Sequence, residues 1–297
     1  MAIFATYDAI GNKECLLDVI SNISPQETPF FSRFGKVQID GVHPEWQTDS
    51  LRSAAVNKQV QGYSYTAVIG AVVPTARIGN YSQILSVGYE VSKTQDAVAK
   101  AGRASEVAYQ KTKAMKEFAL DAELMLAVNA TAVAPAAGTA GQAMGVPGFI
   151  TTNVIDAGSG TVDITEPLLE NLLETAWTAG ATEMNAIYCG AYQKRRINGF
   201  PGTNRQMAQA ETTYKNVVNV YESDFGTLEI ILDRRVATDD IYVLSDNMWK
   251  VGVLRPVLSA VALPDSRSAD AFVIEGELSL ICYNEKANAK YVDLKNA

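Results

Sequence analysis

From Val91 to Asn129 the chain carries no proline and one glycine, Gly102, and no other stretch restricts the fold as much. Ser92 is placed to cap a helix start. A polar face runs Asp96, Lys100, Arg103, Glu106, Gln110, Lys113, Glu117, Asp121. The opposite side carries Val98, Ala101, Ala104, Val107, Ala108, Met115, Phe118, Ala119, Ala122, Met125 and Leu126. That periodicity predicts one amphipathic α-helix, which at about 1.5 Å per residue would reach about 58 Å. Its apolar side is alanine-rich in the first half, so something packs closely there. The apolar steps hold no clean heptad, which argues against a coiled coil.

The residues before this helix cannot bury themselves. Asn12–Ile20 reads as a short helix with Leu16, Leu17 and Ile20 on one side. Pro25 and Pro29 then fix φ and hold their predecessors extended. Phe30, Phe31 and Phe34 follow within five positions. An extended arm ending in aromatic anchors needs another surface, its own domain or a neighbouring subunit. From Val37 to Glu90 the composition is that of β structure, with strand-like flanks at Gln38–Ser50 and Ser82–Tyr89 around a weakly patterned middle. This predicts a long β-hairpin, a ribbon that is not stable alone in water.

After Pro135 the pattern alternates. Thr165 and Pro167 open a helix over Glu166–Ala179 that buries Leu168, Leu169, Leu172, Leu173 and Trp177 and stops at Gly180. Asn185–Cys189 reads as a buried strand and Ala191–Asn198 as a short helix bearing Lys194, Arg195 and Arg196. Strands are expected at Val217–Tyr221, Thr227–Leu232, Ile241–Leu244, Val251–Arg255, Ala271–Tyr283 and Lys290–Leu294.

Little here supports catalysis. The one histidine, His43, precedes a proline, and sites built on two histidines are excluded. Cys15, Cys189 and Cys282 form no CxxC pair and read as buried, reduced thiols. The glycines at 138, 141, 145 and 148 lack the Gly-Lys-Ser/Thr ending of a phosphate loop and read as a small-residue loop. Asp239-Asp240 reads as a solvated turn. No catalytic, cofactor or metal site is expected. No apolar run approaches the ~18 residues of a membrane span, and Met1–Ile10 lacks the charge and apolar core of a secretion signal. With 25 Lys+Arg against 33 Asp+Glu the net charge is −8, so no basic excess is available for gripping phosphate backbones.

The order of elements, with certain phrases, resembles a tailed-phage major capsid protein of the Hong Kong ninety-seven-like fold. The phrases are Thr28-Pro29-Phe30, His43-Pro44-Glu45-Trp46-Gln47-Thr48-Asp49-Ser50-Leu51, Val91-Ser92-Lys93-Thr94-Gln95, Gly145-Val146-Pro147-Gly148-Phe149-Ile150, Ser223-Asp224-Phe225-Gly226-Thr227-Leu228, Leu254-Arg255-Pro256 and Tyr283-Asn284-Glu285-Lys286-Ala287. Their order and spacing carry the likeness over nearly the whole chain.

The resemblance implies an α+β fold in five parts. These are an N-terminal arm (1–36), an extended β-hairpin loop (37–90), the spine helix of a peripheral domain (91–134), an axial domain (135–244) and return strands of the peripheral domain (245–297). It implies pentamers and hexamers closing an icosahedral shell around double-stranded DNA held by non-specific contact. It also implies a scaffolding protein, a portal and decoration proteins as partners, no membrane, and assembly in the host cytoplasm into the virion. The arm begins almost at Met1, so either a separate scaffold serves or the chain is its own precursor. Intersubunit contacts are expected from Phe30, Phe31 and Phe34 in the arm, Trp46 and Tyr89 at the ribbon base, and Lys194, Arg195 and Arg196 in the axial ring. Some capsids of this fold cross-link neighbours through a lysine. Lys58 is the only lysine between Lys36 and Lys93, and one lysine is no motif. Two other readings stay open, an encapsulin-like nanocompartment shell and a soluble α/β enzyme acting from Pro135–Leu244. Against the enzyme stand the single histidine and ~90 residues of arm and ribbon that a monomer would leave exposed.

Overall fold

Buried, β-rich segments set the frame, and the helices pack onto it. The computed structural model describes residues 27–68, 70, 73–98, 102, 104–158, 160–200, 220–257, 261–263 and 268–296. The expected helix at Asn12–Ile20, Cys15, and the start of the strand expected at Val217–Tyr221 lie outside these residues. In chain order the elements are α1 (Pro29–Arg33), β1 (Gly35–Gln38), β2 (Glu45–Thr48), β3 (Ala76–Gly79), β4 (Gln83–Ser92), α2 (Lys93–Ala97), α3 (Glu106–Val128), α4 (Val146–Phe149) and β5 (Val154–Asp156). They continue with α5 (Glu166–Ala179), β6 (Ala186–Cys189), α6 (Ala191–Ile197), β7 (Val220–Ser223), β8 (Gly226–Leu232), β9 (Ile241–Leu244), β10 (Trp249–Arg255), β11 (Val261–Ala262), β12 (Ala269–Cys282) and β13 (Ala289–Val292). The fold mixes helix and sheet as expected.

The chain divides into two compact units. In the larger one, Glu27–Leu85, Ala119–Val257 and Gly276–Ala297, a six-stranded sheet runs β5-β13-β9-β6-β8-β7. β6 and β9 are buried at every residue, the apolar run of strands covered on both faces. α5 covers one face with Leu169, Leu172, Leu173 and Ala176, spaced to fall on one helical stripe. It ends where Gly180 takes φ 109 and its N–H reaches back to Ala176 and Trp177. In the same unit β1 pairs in parallel with β10 (Gly35↔Lys250 to Gln38↔Val253), and β10 pairs antiparallel with the end of β12 (Trp249↔Cys282 to Arg255↔Glu277). The smaller unit, among the described residues, is built from Ser86–Phe118 and Leu258–Glu275. There β11 pairs antiparallel with the start of β12 (Val261↔Val273, Ala262↔Phe272), and β4 also pairs with β12.

Three expectations are corrected. The long helix does not span Val91–Asn129. β4 runs to Ser92, whose side chain does cap α2 by accepting the N–H of Gln95. α2 stops at Val98, which is extended, and Gly102 takes φ 77, so the long helix starts only at Glu106. Glycine in the left-handed region costs little and ends a helix readily. Val98 and Met115, assigned to the apolar side, are exposed.

The ribbon is also shorter than expected. β2 and β3 pair over four residues, Glu45↔Gly79 to Thr48↔Ala76, and residues 49–64 hold no strand. β13 pairs antiparallel with β9 and in parallel with β5, inside the six-stranded sheet. The glycine-rich stretch is no loose loop either. Ala136 and Thr139 bridge around Gly138 (φ 82), and a side chain at Gly145 would meet the Leu126 carbonyl at 2.5 Å.

Candidate functional site

The three segments expected to make contacts with neighbours behave differently, and the arm comes first. α1 is five residues long, with Pro29 at its first position. Too short to satisfy its own N-terminal donors, it borrows an acceptor. The fully buried Glu123 of α3 takes the N–H of Phe30 at 2.9 Å and of Phe31 at 2.8 Å. At its other end Arg33 donates from Nε to Asp246 and from Nη1 to Glu229, both at 2.8 Å. Phe30 and Phe34 are 0% and 2% exposed. They are core residues of their own subunit, which corrects their assignment as intersubunit contacts. Only Phe31 stays partly open, with Lys36 Nζ 4.3 Å from its ring centre.

From these two phenylalanines an unbroken series of rings leads to the ribbon base. Tyr188 stacks on Phe30 at 4.3 Å, Phe30 meets Phe34 at 5.4 Å, and Phe34 stacks on Trp249 at 5.7 Å. Trp249 meets Phe149 edge-on at 5.9 Å, and Phe149 meets Trp46 of β2 at 6.0 Å. Trp46 is thus half-buried at the ribbon base, and its indole N–H meets no acceptor. His43 stacks on Tyr81 at 4.3 Å beside it.

The residue that fixes this base is one the sequence did not single out. Asn80 is fully buried and donates to the carbonyls of Met144 (3.0 Å) and Leu280 (2.8 Å). Its own carbonyl accepts from the N–H groups of Met144 and Tyr81. A buried polar group this fully satisfied is a rigid joint. In the smaller unit Tyr89 stacks on Phe272 at 5.2 Å, and burial pushes its hydroxyl pKa up.

Beyond that joint the chain opens into solvent. Leu51 is 96% exposed, Val56 86%, Val60 76% and Tyr65 81%. Lys58 is exposed among them. No internal packing accounts for these side chains.

The basic residues of α6 separate three ways. Lys194 is 7% exposed and donates from Nζ to the Ile230 carbonyl at 3.0 Å, so it is not offered to a neighbour. Arg196 finds its acidic partner at home, Asp163 at 2.9 Å, and also bonds the Tyr192 hydroxyl. Arg195 alone is exposed, 5.2 Å from the Tyr192 ring. A recess of about 610 Å³ beside it is lined by Asp163, Thr165, Arg195 and Phe200. No cluster able to hold a metal occurs among the described residues, and none of the helices is long and apolar enough to cross a membrane. Burial pushes the thiols of Cys189 and Cys282 up to about 12, leaving them unreactive.

Residues 3–295 match the model of the SU10 major capsid protein family. The chain belongs to that family. A segment of 125 residues is 39% identical to the major capsid protein of Escherichia phage Phieco32, covering 42% of this chain and 35% of that relative. The capsid of a native GTA particle has the same fold, with a TM-score of 0.69, 8% identity and coverage of 98% and 97%. So does a structure from Microbacterium phage Oxtober96, with a TM-score of 0.67, 14% identity and 99% of both chains. At such identities these structures establish the fold alone, the Hong Kong ninety-seven-like capsid fold. An encapsulin complex from Synechococcus elongatus shares it too, at a TM-score of 0.59, 10% identity and 97% and 94% coverage. The fold therefore does not separate phage heads from encapsulins, and the family match does. For a capsid protein the work lies in contacts between copies rather than in catalysis.

Proposed function

We propose that this capsid protein assembles through pentamers and hexamers into an icosahedral phage head enclosing double-stranded DNA. It is built in the host cytoplasm with a scaffolding protein, a portal and decoration proteins as its partners. The observation that supports this best is the loop from residue 49 to 75. Its described apolar side chains Leu51, Val56, Val60 and Tyr65 are exposed, while the base from which it springs is held by the buried Asn80. A monomer gains nothing from displaying Leu51, Val56, Val60 and Tyr65 to water, whereas a neighbouring copy that covers them gains about 25 cal/mol per Å² buried. In this reading the loop, with Lys58 at its surface, lies over the adjacent subunit. Trp46 and Tyr89 border that contact, and Arg195 and Phe31 meet neighbours elsewhere in the capsomer. The acidic balance suits a lining that lets packed DNA leave again.

Negative-stain microscopy with light scattering on the purified chain tests this. Closed particles, rings or tubes are expected, and co-expression with candidate scaffolds should turn open forms into closed ones. A stable compact monomer at every salt concentration, with and without scaffold, would reject it.

A further inference from the structure

α5 displays one aromatic side chain that its spacing assigns to the core. Trp177 is 60% exposed, and its ring leans on Phe225, in the turn between β7 and β8, at 6.1 Å. Glu170 and Glu174 sit at i−7 and i−3 from it, on the same stripe of the helix. Tyr221 of β7 lies alongside with its hydroxyl 3.5 Å from Glu170, and Asp224 precedes Phe225 in the turn. Glu170, Glu174 and Asp224 are exposed, and none of them pairs with a lysine or arginine among the described residues. Burial first, and then the charges of Glu170, Glu166 and Asp224, push the Tyr221 hydroxyl up to about 12. A tryptophan framed by unpaired acids has the make-up of a contact's centre, since tryptophans are among the residues that dominate interface energies.

The complement lies at the other end of α5. The recess of about 610 Å³ there is lined by Thr165, Pro167, Arg195 and Phe200. A volume of this class takes ligands larger than an indole. Arg196 pairs with Asp163 at 2.9 Å, and Lys295 reaches the same carboxylate at 3.9 Å. Arg195, exposed and 5.2 Å from the Tyr192 ring, pairs with no carboxylate among the described residues. Around the recess the cations Arg195, Arg196 and Lys295 outnumber the acids Asp163 and Glu166, so its charge balance is opposite to that of the Trp177 patch. At about 1.5 Å per residue, Trp177 stands about 16 Å along α5 from Glu166, out of reach of the recess in its own copy.

We propose that Trp177 of one copy seats in the Arg195 recess of the next copy, with the guanidinium between the indole and the carboxylates of Glu170 and Glu174. This deepens the reading of capsomers above and rests on it. Copies related by rotation in a closed ring meet through two unlike surfaces, one leading and one trailing. A chain that carries both halves at opposite ends of one helix meets that requirement, and the opposite charge balances select the pairing. Arg195 is then the cation of α6 that serves a neighbour, while Lys194 and Arg196 serve their own subunit. Closing the contact removes from water an indole that the single subunit leaves exposed.

Paired cysteines in the full-length chain test the contact. Glu174→Cys marks the patch, and Ala191→Cys, one turn before the exposed Arg195, marks the recess. Both go into a Cys15→Ser background, since Cys189 and Cys282 are buried. Assembled material is treated with a short bis-maleimide and run on a denaturing gel. The double variant should give a ladder of linked oligomers, and either single variant only monomers, because unlike patches meet. Trp177→Ala and Arg195→Glu should each weaken capsomer formation at least about tenfold, with an unchanged melt of the unassembled chain. Rings or shells in the same sample without a ladder, linked dimers from a single variant, or normal assembly of folded Trp177→Ala would overturn this contact and leave the shell reading in place. Absence of any assembly, with scaffold or without, would overturn both. If the double-cysteine chain fails to fold, the Trp177→Ala and Arg195→Glu chains decide it.

Discussion

Residues 29–34 and residues 49–75 look alike as sequence and behave as opposites. Both are interrupted, weakly patterned and rich in apolar side chains that a local fold cannot cover. The first segment is nevertheless buried in its own subunit, with its first backbone N–H groups bonded to Glu123 and its cation to Asp246. The second has Leu51 and Tyr65 almost fully in water. The difference lies in the partners, not in the segments. α1 finds acceptors and rings at positions far along the chain, whereas Leu51, Val56, Val60 and Tyr65 of the loop lie exposed. A segment without a home in its own subunit is the one free to serve a neighbour. Truncation should sharpen this contrast, because removing Met1–Lys36 deletes core as well as arm, whereas a cut at Gln26 spares α1.

The largest effect expected is on the buried side of the comparison. Phe30→Ala empties a fully buried ring position between Tyr188 and Phe34 and should cost about 3–5 kcal/mol, read as a lower Tm of the unassembled chain. A loss below about 1 kcal/mol would mean that the arm is not core in solution. Asn80→Ala leaves two carbonyls and two N–H groups of the ribbon base without partners, and should cost about 3 kcal/mol. Gly145→Ala forces a methyl against the Leu126 and Met125 carbonyls at 2.5 and 2.6 Å, and about 2 kcal/mol is expected. Denaturant melts of the three variants should rank them in this order.

How much of this could be read beforehand follows from the range of the forces involved. α5 appears where its leucine spacing and Pro167 place it, and β9 where its apolar run does, because those signals are local. The interruption before Glu106 was hidden because one glycine inside a helical pattern is usually tolerated, and only its φ of 77 shows that this one breaks the helix. The strand at β13 was legible but not its neighbours β5 and β9, because period-two alternation says that a segment is a strand and not which sheet receives it. Trp46 lies in β2 against Phe149, in the strand its phrase suggests. The places of Phe30, Phe34 and Lys194 were not legible, because their partners, Glu123, Trp249 and the Ile230 carbonyl, are remote in sequence. Asn80 gave no signal at all, since a lone asparagine before a strand is ordinary turn chemistry.

On the exposed side the expected stability effects shrink. Arg33→Ala breaks the pairs to Asp246 and Glu229, whose arginine is 34% exposed, and should cost about 1 kcal/mol. The combined replacement of Leu51, Val56, Val60 and Tyr65 by serine should change the stability of the unassembled chain by less than about 0.5 kcal/mol, because surface side chains without contacts contribute little to folding. Assembly should respond in the opposite sense. If the loop covers a neighbour, those four side chains lose their burial at every subunit contact, and repeated losses are multiplied around a closed shell. Sedimentation and light scattering should then show intact capsomers or monomers and no closed particles, with an unchanged melt. Normal shells from this variant would place the essential contacts elsewhere, on surfaces such as that of Arg195. An early melt would show that the loop packs within its own subunit after all, and the two segments would no longer be opposites.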